Sequence, residues 1–338
     1  GAVWALTLLD GNGEDEPVLV RGNHRTPEQQ LVPRSFLKAL GATDRPQRGS
    51  GRMGLAKSMI DPGNPFVSRV AVNRIWHHLF GRGIVETVDN FGATSKPPTH
   101  PELLDYLASQ IMDRGWSVKD MIRRVVLSST YRQSSKPRLA GAKVDPNNAL
   151  LHRMPIRRLQ GEAIRDQLLA VSGRIDRRQF GKGPRVHITP FMRNNRSPSG
   201  SGPMDGAGRR SIYVEVRRNH LEPMLSAFDK PTPFTTMGRR VVSNSPAQPL
   251  IMLNNEFVHQ QAAIWADALL KNNNANTDEL VSHAYHQAFG REPEAWEAAA
   301  AAEFLEQQRK TAGGESLKQS LADFCHTLFN VKEFVFVN

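Results

Sequence analysis

The chain contains a single cysteine, Cys325, among 338 residues. One thiol cannot supply an internal disulfide, a cysteine-rich zinc site or the two-cysteine attachment of a c-type haem, so all three are excluded within this chain. No apolar run approaches the roughly 18 residues that a membrane-spanning helix requires, which excludes such a helix. The chain begins at Gly1 without a leader-like segment, which indicates an excised or processed piece of a longer protein.

Standard catalytic signatures are missing as well. The sequence has no Gly-x-x-x-x-Gly-Lys phosphate loop, no His-Glu-x-x-His zinc motif and no Gly-x-Ser-x-Gly nucleophile elbow. What remains is the composition of an ordinary globular chain, 39% hydrophobic and 23% charged, with enough length for one large domain or two modest ones.

The charge is unevenly distributed. The net charge is +11, made up of +17 over residues 1–240 and −6 over residues 241–338, and arginine outnumbers lysine by 32 to 12. Arginine presents a planar fork of donors that suits carboxylate, phosphate or sulfate. The excess indicates a surface for anionic ligands. The alternative is a set of structural arginine–carboxylate pairs within a helical protein.

The sequence pattern predicts a mainly α protein with a few short accessory strands. Caps and apolar spacing predict helices over 64–81, 99–115, 117–131, 158–173, from 245, over 277–290, from 293 and over 317–329. Short apolar runs predict strands at 4–9 and 17–22, joined by residues 10–13, and alternation predicts another at 211–216. Residues 22–34 are predicted to be irregular. Residues 181–210, rich in Gly, Pro, Ser and Asn, are predicted to form a long irregular loop.

Composition suggests three parts. Residues 1–48 form an extended, strand-containing N-terminal segment, and residues 49–240 form a basic helical domain with a loop insertion and a strand. Residues 241–338 form an acidic helical subdomain packed on the same core.

Two groups of residues are candidates for function. A speculative catalytic cleft would combine His77, Asp89, Tyr131 and Asp166, although such carboxylates also commonly pair with arginines. His283 and His286 share a helix face, but no carboxylate partner beside them favours a metal site, and no metal site is predicted. Arginines, many of them in adjacent pairs, are the candidate ligand-binding residues: Arg74, Arg132, Arg158, Arg209, Arg210, Arg217, Arg218, Arg239 and Arg240.

Several ordered stretches form a recognisable set: 64–83, 89–92, 98–108, 115–117, 129–134, Arg158 with 162–166, 210–214, 228–229, 239–240, 249–254, 329–330 and 333–334. Together they resemble the planctomycete-type exported family called domain of unknown function 1553. The resemblance covers nearly the whole chain and departs from the family at Met237, where cysteine is common, so no role of that thiol carries over.

The resemblance implies a context rather than a reaction. Members of the family are typically exported bacterial proteins in which this region is the C-terminal part, following a c-type cytochrome domain. It therefore implies a periplasmic, envelope or secreted location, a cytochrome domain of the same protein as partner, and haem c on that domain, with no cofactor in this chain. Family members abound in organisms that degrade sulfated polysaccharides, which implies an anionic polysaccharide as a further partner.

Three functions remain open. The first is a module that binds an anionic ligand, such as a sulfated or acidic glycan, or docks a partner domain. The second is a redox-linked or polysaccharide-active enzyme domain, so whether the chain is an enzyme stays undecided. Nucleic-acid binding ranks last, because the basic residues form no recognisable reading helix with interleaved aromatics.

Overall fold

The computed structural model describes residues 6–11, 13–37, 49–193, 197–234, 236–272, 276–311 and 317–337. The described residues confirm the mainly α fold. They contain two small sheets, in which β1 (Glu16–Leu19) pairs with β2 (Pro27–Val32) and β3 (Arg157–Arg158) pairs with β4 (Phe336–Val337), both antiparallel. The helices are α1 (Arg52–Met59), α2 (Pro65–Phe80), α3 (Pro101–Asp113), α4 (Val118–Val126), α5 (Leu139–Val144), α6 (Gly161–Val171), α7 (Pro223–Ala227), α8 (Ala247–Asn254), α9 (Glu256–Asn272), α10 (Thr277–Phe289), α11 (Ala295–Thr311), α12 (Leu317–Asn330) and α13 (Lys332–Val335).

The chain divides into two compact units. Unit 1 comprises Gly1–Gln133 and Asp145–Leu150, and unit 2 comprises Ser134–Val144 and Leu151–Asn338. The three-part division drawn from composition, with boundaries at residues 48 and 240, stays a prediction. Of the helices in the described residues, none combines the length and the apolar character that crossing a bilayer demands.

Unit 1 is organised around α2. Asn64 caps this helix by accepting a hydrogen bond from Phe66 N, Pro65 takes the first helical position, and Gly81 ends it in the left-handed conformation. The apolar face of α2 packs on α3 and α4. Asn73 is wholly buried, and its amide donates to Val85 O at 3.0 Å and accepts from Val85 N at 2.9 Å. This pairing fastens the chain after α2 to the middle of the helix.

The N-terminal strands differ from the prediction. Leu6–Leu9 forms no strand, residues 1–5 lie outside the described residues, and the partner of β1 is β2, within the stretch predicted to be irregular. The turn falls at 20–26, where Val20 N donates to Thr26 O, and Arg21 and Gly22 take positive φ. The prediction was wrong because Arg21-Gly22 begins a left-handed turn instead of ending a strand.

The core of unit 2 lies between α9 and α12. The Trp265 ring stacks on Phe329 with centroids 5.0 Å apart, and both side chains are wholly buried together with Phe334. Helices α10 and α11 pack on this pair. Helix α10 begins at Thr277, as predicted. Asn276, the residue before it, forms a reciprocal cap with Glu279.

The strand predicted at 211–216 does not form. Residues 211–213 form a 3₁₀ turn, and Ile212 is 76% exposed. Ser211 is bound to α6, because Asp166 Oδ1 accepts from both its N and its Oγ at 2.7 Å. These bonds replace the strand ladder that alternation predicted. The irregular stretch at 181–210 is confirmed apart from short 3₁₀ turns, with residues 194–196 outside the described residues.

The thiol of Cys325 is expected to be unreactive in the folded protein. It is wholly buried in α12, and burial raises the pKa of this thiol well above its ordinary value. Labelling with Ellman's reagent should therefore be about a thousandfold or more slower in the native protein than in denaturant, because it needs an opening of the core. Rapid labelling of the native protein would contradict the packing of α12.

Candidate anion-binding site

Three of the four candidate catalytic residues lie in unit 1, and Asp166 lies in unit 2. Asp89 pairs with Arg74 at 3.4 Å, Tyr131 packs edge-on against Phe80 at 5.5 Å, and His77 packs edge-on against His78 at 5.4 Å. Asp166 accepts the two hydrogen bonds from Ser211. Each of the four thus has a structural partner, and their catalytic role stays a prediction.

Five of the nine candidate arginines form ion pairs with carboxylates of their own unit. Arg132 and Arg239 are exposed, and neither has an ion pair within the part of the chain that the structure describes. The pairs are Arg74–Asp89 at 3.4 Å, Arg158–Asp229 at 2.6 Å, Arg210–Asp166 at 3.5 Å, Arg217–Glu215 at 2.8 Å and Arg240–Glu162 at 2.6 Å.

The pair of Arg158 and Asp229 is the most deeply buried of these. The two side chains are 7% and 17% exposed, and the Arg158 guanidinium lies over the Phe228 ring, 5.3 Å from its centroid. Asp229 also accepts from Ser243 N at 2.9 Å and Ser243 Oγ at 2.7 Å. Burial opposes the charge of Asp229, but the bonds from Ser243 and Arg158 outweigh burial and lower its pKa. This pair fixes the loop that follows α7.

One face of α6 supplies three further anchors. Glu162, Arg165 and Asp166 lie three and four residues apart and therefore share a helix face. Glu162 receives a two-pronged bond from Arg240, at 2.6 and 3.1 Å, which lowers the pKa of Glu162 against the effect of burial. This face ties both the 205–211 turn and the 239–240 segment to one helix.

Arg165 is a structural anchor that the sequence reasoning missed. It is buried, and it donates to Arg209 O at 3.1 Å, Ser211 Oγ at 3.2 Å and Asp205 O at 2.7 Å. Burial lowers the pKa of this guanidinium. The charges of nearby carboxylates oppose the shift, and that of Glu222 has the largest opposing effect. A signal existed in the sequence, since Arg165 lies one turn before the buried Leu169 on the same face.

Arg209 is a second inward-facing arginine. It is buried, donates to Phe180 O at 2.8 Å and lies over the Tyr213 ring, 4.4 Å from the centroid. With Arg158 and Arg165 it supports from within the mostly irregular stretch of residues 174–240, called here the irregular segment. These three arginines are therefore part of the framework.

The remaining cations of the irregular segment face outward. Residues 174–240 carry fourteen Arg and Lys against five Asp and Glu, a net charge of +9. In the described residues, eight of these cations have no carboxylate oxygen within 4.0 Å: the buried Arg209 and seven others, of which all but the half-buried Lys230 are exposed. These seven, the outward cations, are Arg177, Lys182, Arg185, Arg193, Arg218, Lys230 and Arg239.

Two of the arginine doublets divide between framework and surface. Arg217 pairs with Glu215, whereas its neighbour Arg218 is exposed and lies over the exposed Phe234 ring at 5.9 Å. Arg240 pairs with Glu162, whereas Arg239 is exposed. One member of each doublet holds the loop in place, and the other is left available to a ligand.

A sequence model of a protein family matches residues 51–305, more than half of the chain. The chain belongs to the PSD1 family of proteins of unknown function (DUF1553). The resemblance expected from the sequence is thereby confirmed. No curated protein and no solved structure matches the chain.

A small cavity in unit 2 of this PSD1 protein is lined by one of the outward cations, Lys230. It measures about 30 Å³ and is lined among others by Arg165, His220, Glu222 and Lys230. Burial raises the pKa of Glu222, although bonds from the N–H groups of Leu225 and Met224 and the charge of Arg165 oppose the shift. The volume admits one or two water molecules, whereas ligand pockets usually exceed about 300 Å³. This cavity is therefore too small for a larger ligand.

Metal ligation has no support in the described residues of the PSD1 chain, which hold no cluster of three or more His, Cys, Asp or Glu suited to a metal ion. His283 Nδ1 lies 2.8 Å from Glu279 O, and His286 Nε2 lies 2.5 Å from Glu292 Oε1. Each of these two histidines is thus engaged by its own neighbour.

Proposed function

We propose that unit 2 of this PSD1 protein is a binding module for an anionic ligand, with a sulfated or uronic-acid polysaccharide as the ligand class. The observation that supports it is the set of seven outward cations, which have no carboxylate within 4.0 Å in the described residues. Cations without a partner gain more from an added anion than cations already neutralised within the chain. A guanidinium also matches the oxygens of a sulfate or carboxylate with two parallel bonds.

The framework beneath the surface favours binding over catalysis. Arg165 and Arg209 are buried, the Arg158 side chain is 7% exposed, and all three are bonded within the unit, so the irregular segment is held in place before a ligand arrives. A preorganised surface loses less conformational entropy on binding. The carboxylates that an enzyme would use as acid and base, such as Glu162 and Asp166, accept bonds from arginine or serine of the same unit.

The double substitution Arg218→Gln and Arg239→Gln is expected to weaken binding of a sulfated polysaccharide about tenfold, a free-energy change of about 1.4 kcal/mol. Both side chains are exposed and without carboxylate partners, so the change removes charge from the binding surface and breaks no ion pair; the contact of Arg218 with the ring of Phe234, itself exposed, is the one it loses. Titration calorimetry with dextran sulfate at low salt measures the effect. The melting temperature of the variant should equal that of the wild type.

The matched control is Arg309→Gln with Lys332→Gln. These two exposed cations lie on α11 and α13, so the control loses the same charge away from the irregular segment. It should retain wild-type affinity. Equal weakening in both double variants would show that only net charge matters, and failure of the wild type to bind at low salt would refute the proposal.

The same outward cations could receive an acidic partner domain, and the c-type cytochrome domain implied by the resemblance is the proposed one. An exported location, periplasmic or at the cell envelope, belongs to this proposal. Co-purification of the cytochrome-bearing portion with unit 2, lost in the Arg218→Gln, Arg239→Gln variant, would support docking. The enzymatic alternative with His77, Asp89, Tyr131 and Asp166 stays a prediction.

A further inference from the structure

Two histidines from different helices meet at the end of α8. His259 of α9 and His326 of α12 stack with ring centroids 4.1 Å apart and planes inclined by 28°. His259 Nε2 lies 2.8 Å from Leu253 O, and His326 Nε2 lies 3.1 Å from Met252 O. These carbonyls belong to the last turn of α8, where the helix has no N–H partner of its own to offer them. The stacked pair thus caps the C-terminus of α8.

The hydrogen bonds fix the protonation pattern of the pair. A carbonyl oxygen only accepts, so each Nε2 carries a hydrogen, and a neutral ring then has an unprotonated Nδ1. Adding a proton to either Nδ1 makes that imidazole a cation. One cation is favourable at a helix C-terminus, but two stacked cations repel each other across 4.1 Å.

We propose that His259 and His326 form a pH-sensitive clamp that holds the C-terminal end of α8 at neutral pH and releases it in acid. His259 is exposed, whereas His326 is half-buried, and this burial opposes a charge on the His326 ring. When both are charged, the rings separate and the two carbonyls of α8 lose their donors. The clamp does not depend on the proposed function.

The surroundings do little to neutralise a doubly charged pair. Asp323, one turn earlier on α12, is the carboxylate that acts on His326, and Glu256 lies three residues before His259 on α9. Helix α8 has no titratable side chain, and Asn330 supplies a neutral amide 3.4 Å from His326 Nε2. Burial lowers the pKa of His326, and the charge of His259 lowers it further. The bond to Met252 and the charge of Asp323 raise it, but by less.

The sign of the pH effect follows from this shift. The pKa of His326 is lower in the folded protein than in the unfolded chain, where it is about 6.5. The contribution of neutral His326 to the free energy of unfolding is therefore complete above pH 6.5. It is lost as the pH falls through 6.5 towards the folded pKa, because the unfolded chain then binds more protons than the folded protein.

The other end of α8 contacts the loop that carries Arg239 and Arg240. Gln248 of α8 donates to Ser243 O and to Ser243 Oγ, both at 3.3 Å, and Ser243 is bonded to Asp229. Release of α8 would loosen this loop. Weaker anion binding in acid follows only if the proposed function also holds, and it is measured separately.

Hydrogen exchange of the full chain at pH 7.5 and pH 5.0, corrected for intrinsic exchange rates, tests the clamp. In the wild type, protection of the α8 amides should fall about tenfold more than that of the α10 amides, equivalent to about 1.4 kcal/mol. His326→Gln retains an N–H donor but cannot be protonated, so this excess loss should disappear. His259→Gln should act in the same way.

The matched control is His283→Gln on α10. His283 bonds to Glu279 O of its own helix and should leave the excess loss at α8 unchanged. In an NMR titration, the pKa of His326 should be lower in the wild type than in His259→Gln, because the charge of His259 lowers it. The clamp is refuted if α8 loses no more protection than α10 in the wild type, if His326→Gln leaves the loss intact, or if His259→Gln does not raise the pKa of His326.

Discussion

Replacing Trp265 with alanine is expected to lower the free energy of unfolding by about 4 kcal/mol. Trp265 is wholly buried, stacks on Phe329 at 5.0 Å and donates its indole N–H to Gln287. Removing the ring leaves a cavity between α9 and α12 and an unpaired amide, and large-to-small changes of this kind cost about 3–5 kcal/mol. Urea unfolding followed by circular dichroism measures the change.

The control for this substitution is Trp296→Ala. Trp296 is 67% exposed, and its indole N–H donates to Glu294 of its own segment at 2.7 Å. The change in unfolding free energy should stay within about 0.5 kcal/mol. A similar loss for both tryptophans would show that α9 and α12 do not form the core of unit 2.

Replacing Asp229 with asparagine is expected to destabilise the protein by about 3 kcal/mol. The change leaves the 7% exposed Arg158 guanidinium as a buried charge without a counter-ion, and breaking such a pair costs about 3–5 kcal/mol. Asparagine tolerates the positive φ of 60° at this position, so backbone strain does not contribute. Chemical unfolding at neutral pH provides the measurement.

The pH profile separates this charge effect from a general packing effect. The pKa of Asp229 is lowered in the folded protein, so its contribution is complete above the unfolded value of about 3.9 and is lost as the pH falls below it. The deficit of Asp229→Asn relative to the wild type should therefore shrink in acid. Asp105→Asn, which breaks the exposed pair with Arg69, should cost less than about 1 kcal/mol. A deficit that does not change with pH would contradict the ion-pair account.

Local signals in the sequence were sufficient for most helices. Asn64-Pro65 and Gly81 mark the two ends of α2, and Ser117 caps α4 through Asp120 N, both as the caps predict. At the start of α3, His100 takes the cap position without a side-chain bond, while Thr99 bonds to His100 Nδ1. Helix α6 begins at Gly161, three positions later than predicted, because Arg157 and Arg158 form β3 and pair with β4.

The site could be predicted only in part, because its decisive contacts are distant in sequence. Arg158 and Asp229 are 71 residues apart, and Arg240 and Glu162 are 78 apart. Composition identified the excess of arginine, and spacing identified the doublets. Which member of a doublet faces inward depends on a carboxylate from another element, so Arg217 and Arg218 could not be distinguished from sequence.

The most direct test of the anion-binding account is the salt dependence of the association constant between the full chain and dextran sulfate. Exposed cations are screened by salt, so the constant should fall at least about tenfold between about 50 and 300 mM NaCl. The Arg218→Gln, Arg239→Gln variant should show a shallower dependence than the wild type and than the Arg309→Gln, Lys332→Gln control. Binding that is absent at low salt, or that does not respond to salt, would contradict the account.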